Sequence, residues 1–316
     1  MFDVFFYETF EEEEKLLREL LPKEIQAGFT KKTIQEEIHE TPISKIISIR
    51  TQSKIPSDWK NQISSILTRS TGYDHINHLK NDLVCGYLPK YCNQAVAEHA
   101  IMMVFCLLKN LKKQMIHFSS FNRDNLTGFE LKDKKIIIFG IGKIGYEIYK
   151  ITKALGMEVY GVDLEKKYED VNYISKEEGL KIADIIICAM NLTSDNFQYF
   201  NYNILKNSKK GIIFINIARG EMSPLGDLIR LLEEKHLSAL ALDTYDNEAH
   251  MAEKIKTKGL EFQELKLISK LYQRDNVILT PHNAFNTIES VRKKAKQSIE
   301  QIQNFLKTGK FIWALN

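Results

Sequence analysis

Along the chain, short apolar runs alternate with longer segments in which apolar residues recur at helical spacing. FDVFFY (residues 2–7) reads as a first strand, and residues 11–21 as a helix stopped by Pro22. Further strands are predicted at residues 27–30, at 46–49 and in SSILT (64–68), with a helical turn over 59–63. Residues 94–113, around AVAEHAIMMVFCLLKNLKK, predict one long, mostly apolar helix, read as a core helix bridging two domains. Strands follow at 136–139, in MEVYGVD (157–163), in IADIIICAM (182–190) and in GIIFINIARG (211–220). Residues 225–235 read as a helix, LSALALDTYDNE (237–248) as a strand entering an acidic loop, and 249–272 as irregularly helical. DNVILTPHNAF (275–285) is the last strand, and 288–306 a closing helix with lysines on its outer face. The closing helix and FIWAL are expected to return onto the first domain. Short strands alternating with helices predict parallel α/β packing throughout.

The sharpest local unit is KKIIIFGIGKIGYEIYKITKALGMEVYGVD, residues 134–163. Its first apolar run has no polar interruption, which suits a strand buried on both faces. Gly140, Gly142 and Gly145 follow at G-x-G-x-x-G spacing. The first permits a sharp turn, the second lets backbone approach a pyrophosphate, and the third lets the helix start close to the strand. Amides at that helix start, from Lys143 and Ile144 onward, are placed to receive phosphate oxygens. Ile144, Ile148, Ile151 and Leu155 are expected to form the buried stripe, and Gly156 the residue that ends the helix. Asp163, closing the second strand, can bind both ribose hydroxyls of an adenosine and repel a 2′-phosphate. This predicts NAD rather than NADP, with Lys166 and Lys167 keeping the latter open. A bare βαβ unit and an adenosine-binding methyltransferase are the competing readings of the same glycines.

Length and composition bound the rest. At 316 residues, two domains are the natural expectation. With 44% hydrophobic and 27% charged residues and a net charge of +3, the chain reads as a soluble globular protein without a polyanionic partner: no nucleic acid and no membrane. The longest apolar run falls well short of the ~20 residues of a membrane span. Acidic residues stand where a secretory leader would be cleaved, and Cys85, Cys92, Cys106 and Cys188 form no C-x-x-C pair, so a reduced cytoplasm is expected and no metal. The Glu11–Glu14 run reads as a solvated first helical turn.

Ligands of open parallel sheets bind beyond the carboxyl ends of strands. The polar residues predicted there are Arg219, Asp243 with Glu248, and His282, while the turn Ser70-Thr71-Gly72 after SSILT is a candidate anion site. Each alone has a plain structural explanation; their joint placement beyond the strands of one dinucleotide-binding sheet points to chemistry.

NIARG, LDTYDNE and NVILTPHNAF resemble the arginine, glutamate and histidine blocks of the NAD-dependent D-2-hydroxyacid dehydrogenases. RTQSKI, TRSTGYDHIN, AVAEHA and FGIGKIG fall in that family's order, and the opening FFYETFEEEEKLL and the PHNAF ending lie nearest its D-lactate dehydrogenase branch. The resemblance implies an α/β fold: a Rossmann-type doubly wound cofactor domain (99–285) inserted into a smaller, discontinuous, flavodoxin-like substrate domain (1–98 and 286–316). It implies a homodimer acting on a 2-keto/2-hydroxy acid pair. His282 would be the acid/base, Glu248 would orient it and favour its charged form, and Arg219 would grip the substrate carboxylate. The amides of Ser70, Thr71 and Gly72 would hold that carboxylate too. Asp243 would contact the nicotinamide amide, and Asn93, Thr193 and Ala218 would border the cofactor. Asn191 stands where the family commonly has proline, Ala249 follows the glutamate, and Asn283 and Phe285 follow the histidine where many members have glycines. A non-enzymatic NAD-sensing, corepressor-like protein of the same fold is the alternative.

Overall fold

The computed structural model describes residues 2–256 and 263–315, which fall into two units. Unit 1 is Met1–Cys92 with Asn286–Asn316, and unit 2 is Asn93–Phe285.

Unit 1 holds a parallel sheet of β1 (Phe2–Phe6), β2 (Ala27–Phe29), β3 (Ser44–Ile49), β4 (Ser65–Thr68) and β5 (Val84–Gly86), in the order β2-β1-β3-β4-β5. That is the flavodoxin-like order, reversing between β1 and β3. Helices α1 (Glu11–Leu20) and α2 (Ile34–Glu37) come from the first chain segment, and α11 (Ile288–Thr308) from the last. One face of the sheet buries Tyr7, Ile47, Trp59 and Ile66 together. After α11, residues 313–315 lie beside β5: Tyr87 donates to Trp313 O at 3.1 Å and Leu315 to Cys85 O at 2.8 Å. The C-terminal segment thus returns to this unit as expected.

One surface expectation is overturned here, and a second holds with one exception. The acidic run is not all solvated, because Glu13 is fully buried, and α11 does not turn every lysine outward, because Lys294 is fully buried as well. The two charges sit in the same interior, paired with each other and with buried Arg69. Neighbouring Lys293 and Lys296 remain exposed, whereas Lys294 lies on the buried stripe with Val291, Ala295 and Ser298, where its residue type and not its periodicity suggested solvent.

Unit 2 begins with α3 (Asn93–Leu108) and α4 (Leu111–His117). The single long helix expected at 94–113 is therefore broken. Asn110 adopts the left-handed conformation (φ 51°), its Nδ2 donates to Thr127 O at 2.9 Å, and Phe129 N–H donates to Leu108 O at 2.8 Å. The returning loop satisfies the Leu108 carbonyl at the end of α3, which a continuous helix would have consumed. The expected first domain boundary, after residue 98, would fall within α3.

The sheet of unit 2 is also parallel. Its strands are β6 (Lys135–Phe139), β7 (Glu158–Val162), β8 (Ile185–Cys188), β9 (Ile212–Asn216), β10 (Leu237–Leu242) and β11 (Val277–Leu279), in the order β11-β10-β9-β8-β6-β7. Between them run α5 (Lys143–Ala154), α6 (Lys176–Ile182), α7 (Tyr202–Lys206), α8 (Leu225–Glu233), α9 (Glu248–Lys256) and α10 (Gln263–Tyr272). Of the segment expected to be irregularly helical, residues 257–262 lie outside the described residues. Ile136–Phe139 and Ile185–Cys188 are fully buried, as expected of strands covered on both faces by helices. The buried stripe of α5 differs from expectation: Gly145, Ile148, Tyr149 and Thr152 are buried, while Ile144 and Ile151 are half-buried and Leu155 is exposed. The helix is rotated so that Gly145, rather than a branched side chain, meets the strand. Strand order reverses around β6, flanked by β7 and β8, and that reversal opens a crevice beyond the carboxyl ends.

Candidate active site

At that reversal stands the glycine turn. Gly140 has φ +92°, and a methyl group there would lie 2.7 Å from the backbone of Met190 after β8. A methyl on Gly145 would lie 1.9 Å from Gly140 O. Both glycines are therefore required by the protein's own backbone. Gly142 is not, since a methyl there would meet no protein atom within 4 Å. Its open face, beside the first amides of α5 at Lys143 and Ile144, fits the approach of a pyrophosphate. Asp163, exposed at the end of β7, accepts from Ile141 N–H at 2.5 Å and from Glu165 N–H at 3.2 Å. It thus ties the glycine turn to β7 while keeping its carboxylate at the rim of the crevice.

On the other side of β8, the loop after β9 is built around a buried asparagine. Asn216 Oδ1 accepts from Ala218 N–H at 2.9 Å, and its Nδ2 donates to Arg219 O and to Ser223 Oγ, both at 2.8 Å. Arg219 is half-buried, with Nη1 donating to Ala218 O at 2.9 Å. Gly220 then packs against the loop after β10, where a methyl would lie 1.9 Å from the carbonyl carbon of Tyr245.

Asp243, at the end of β10, is fully buried and organises the turn after β11. Its Oδ1 accepts from Thr280 Oγ1 at 2.6 Å and from Asn283 N–H at 2.9 Å, and its Oδ2 accepts from Ala284 N–H at 3.0 Å. His99 of α3 stands 3.6 Å from Oδ1 and 3.1 Å from Thr280 Oγ1. Burial pushes the His99 imidazole down, against the pull of Asp243. Tyr245 closes the same turn, its OH donating to Thr280 O at 2.9 Å. Burial, then the charges of Asp243 and Glu248, drive that phenol upward.

The turn so fixed presents His282 in the left-handed conformation (φ 51°). His282 Nδ1 lies 2.8 Å from both carboxylate oxygens of Glu248, the first residue of α9. Both side chains are about one-fifth exposed, at 23% and 21%. A carboxylate on Nδ1 fixes the ring and leaves Nε2 to exchange a proton.

The expected residues therefore assemble in three groups: the glycine turn with Asp163, the Asn216-supported loop carrying Ala218 and Arg219, and the Asp243-fixed turn joining His282 to Glu248. Thr193 is different. It is exposed, and its N–H donates to Asn196 Oδ1 at 2.8 Å as part of a local cap. The departure at Asn191 belongs to that cap, its carbonyl accepting from Asn196 Nδ2 at 2.7 Å. Asn93 opens α3, and its Oδ1 is buried with no hydrogen bond among the described residues. His99, Asn216 and Gly220 were not singled out from the sequence. His99 lies in AVAEHA and Asn216 and Gly220 in NIARG, and Asn216 is also polar at the end of the apolar run IIFIN.

In unit 1, Ser70–Gly72 forms a turn after β4. Ser70 Oγ bonds Thr68 Oγ1 at 2.6 Å and donates to Gly72 O at 2.7 Å, and Thr71 Oγ1 donates to Leu88 O at 3.0 Å. Thr68 Oγ1 also lies 3.0 Å from His75 Nε2. The side chains are spent on holding the turn, and among the described residues no acceptor takes the N–H of Ser70, Thr71 or Gly72.

Residues 101–284 match the family model described as D-isomer specific 2-hydroxyacid dehydrogenase, NAD binding domain. The chain is 30% identical over 267 residues to the D-lactate dehydrogenase of Streptococcus pyogenes serotype M1, covering 78% of this chain and 77% of that one. It is 29% identical over 259 residues to the D-lactate dehydrogenase of Lactiplantibacillus plantarum, with the same coverage of 78% and 77%. Among solved structures, the D-lactate dehydrogenase from Aquifex aeolicus, complexed with NAD and lactic acid, superposes with a TM-score of 0.85 at 26% identity over 98% of both chains.

Proposed function

The chain belongs to the D-isomer specific 2-hydroxyacid dehydrogenase family and is an NAD-dependent oxidoreductase of hydroxyacids, and we propose that it interconverts a short 2-keto acid, pyruvate first, with the D-2-hydroxy acid. The observation that carries the site assignment is the His282–Glu248 pair at 2.8 Å. NAD, when bound, supplies or accepts the hydride at C2. His282 Nε2 gives a proton to the carbonyl oxygen as that oxygen gains charge, and takes it back in the oxidative direction. Glu248 holds the ring by Nδ1 and balances the positive charge it carries while it holds both protons. Arg219, a planar fork, grips the substrate carboxylate and polarises the ketone. The free amides of Ser70, Thr71 and Gly72 donate to a substrate carboxylate. Gly142 and the first turn of α5 receive the pyrophosphate, Asp163 the adenosine ribose, and Asn93, Thr193 and Ala218 line the cofactor. Because Asp243 is engaged by Thr280, Asn283 and Ala284, we assign it first to holding the His282 turn and second to the nicotinamide amide.

A homodimer is supported by the exposed apolar side chains in and after α4: Met115, Ile116, Phe118, Phe121 and Phe129 are all more than half exposed. A reducing compartment such as the cytoplasm is supported by the four free cysteines. No helix among the described residues is long and apolar enough to cross a membrane.

Loss of NADH absorbance with a panel of 2-keto acids tests the reading. Turnover of pyruvate to D-lactate is the expected outcome. NADH binding without oxidation by any member of the panel would refute it.

A further inference from the structure

Behind the Ser70–Gly72 turn lies a group of buried charges that the chemistry above does not use. Glu13 Oε1 accepts from Arg69 Nε at 2.9 Å and lies 2.9 Å from Lys294 Nζ, and all three side chains are 0% exposed. Arg69 directs its other nitrogens to Ser48 Oγ (3.1 Å) and Tyr7 O (2.7 Å), and its backbone N–H to Ile49 O (2.7 Å). The next residue is Ser70. The turn is thus seated on a guanidinium that Glu13 fixes, and Lys294 fixes Glu13. A second route runs through Tyr91, whose ring centroid is 6.0 Å from Lys294 Nζ, to Cys92, whose Sγ is 3.5 Å from Thr71 Oγ1. One carboxylate faces two buried cations, and Arg50 adds positive charge nearby. The excess is positive and poorly screened, which favours an anion at the turn above it.

We propose that Lys294 is a positioning residue for the substrate carboxylate: through Glu13 and Arg69 it seats the Ser70–Gly72 turn, and its own charge strengthens that turn's hold on the carboxylate. The proposal rests on the reading of Ser70–Gly72 as a carboxylate site. Facing the ammonium are Phe10 just before α1, Glu13 of α1, Arg69 after β4, Arg50 after β3, and Tyr91 and Cys92 at the end of the first segment of unit 1. Burial pushes Lys294 down to about 7 against the pull of Glu13, with Arg50 and Arg69 pushing the same way. The charge is therefore present below about pH 7 and lost above it, so affinity for the keto acid falls as pH rises through that value.

The test is the KM and kcat of the enzyme with saturating NADH and pyruvate, from about pH 6 to about pH 8.5, for the wild type, Lys294→Arg and Lys294→Met. Dividing the wild-type KM by that of Lys294→Arg at each pH cancels the pH effects that the variants share. The expected ratio rises roughly three- to tenfold across the range, with kcat changed by less than about twofold. Wild-type KM should also converge on that of Lys294→Met at high pH, a comparison that stands if the arginine variant does not fold. Flat ratios in both comparisons overturn the proposal. Gly72→Ala separates the two readings: raised KM there with flat lysine ratios rejects the role of Lys294 alone, while unchanged KM with flat ratios rejects the carboxylate turn as well.

Discussion

Gly220 links the two loops that carry the proposed chemistry, and Gly220→Ala perturbs both. A methyl there would lie 1.9 Å from the Tyr245 carbonyl carbon and 2.1 Å from Asp246 N, against about 3.4 Å for ordinary contact. Both are backbone atoms, so no side chain can rotate away, and the loops after β9 and β10 must separate by about 1.5 Å, the gap between 1.9 and 3.4 Å. Arg219 precedes the altered residue on one loop, and the other loop leads into Glu248, which holds His282. Overpacking of this kind costs about 1–3 kcal/mol, so Tm should fall by roughly 3–10 °C in a chain of this size. A displacement near 1 Å between catalytic groups costs about 10²-fold in rate. The expected result is kcat/KM for the keto acid lowered by about 10²-fold, with NADH affinity retained, because the glycine turn after β6 is untouched. Thermal melting, NADH fluorescence titration and steady-state kinetics measure the three quantities separately. Near-normal kcat/KM with an unchanged Tm would refute the claim that this contact sets the spacing of Arg219 and Glu248.

Gly142→Ala should do the opposite, leaving Tm unchanged because its methyl meets no protein atom within 4 Å, while weakening NADH binding; unchanged NADH affinity by titration would remove the pyrophosphate from this position. Asp163→Ala should weaken NADH binding and relatively improve NADPH use, and it also frees Ile141 N–H; an unaltered cofactor preference would count against the ribose assignment. Burial opposes the Glu13 charge, but Arg69, then Lys294 and Arg50, hold that carboxyl down to about 2 from its ordinary 4.5. Its contribution to stability is therefore complete above about pH 4.5 and is lost as pH falls through about 2. Glu13→Gln should lose about 3–5 kcal/mol at neutral pH and flatten that acid limb in denaturant melts; wild-type stability in the variant would show the buried cations are not dependent on it.

The β6–turn–α5 unit was legible because each of its signals is local: an uninterrupted apolar strand, glycines at fixed spacing, and an acid ending the next strand. His282 and Glu248 were legible as strand-end polar residues read through a family resemblance. Features set by distant partners were not. Glu13 sits in an acidic run and Lys294 in a lysine-rich helix, so each resembles a solvated charge until the fold brings the two together. The break at Asn110 depends on a loop that returns to α3 only in three dimensions. Gly220 closes the NIARG block but has no unusual φ, and its necessity comes from Tyr245 and Asp246 across the loop pair. Asp243 was correctly placed at a strand end, but its bonds to Thr280, Asn283 and Ala284 follow from the β10–β11 register rather than from any local pattern.

The central claim is that His282, held by Glu248, moves the substrate proton. Single-turnover oxidation of enzyme-bound NADH by pyruvate in His282→Gln measures it directly. A drop of about 10²–10⁴-fold with NADH affinity unchanged is expected; turnover within a few-fold of the wild type would contradict the account.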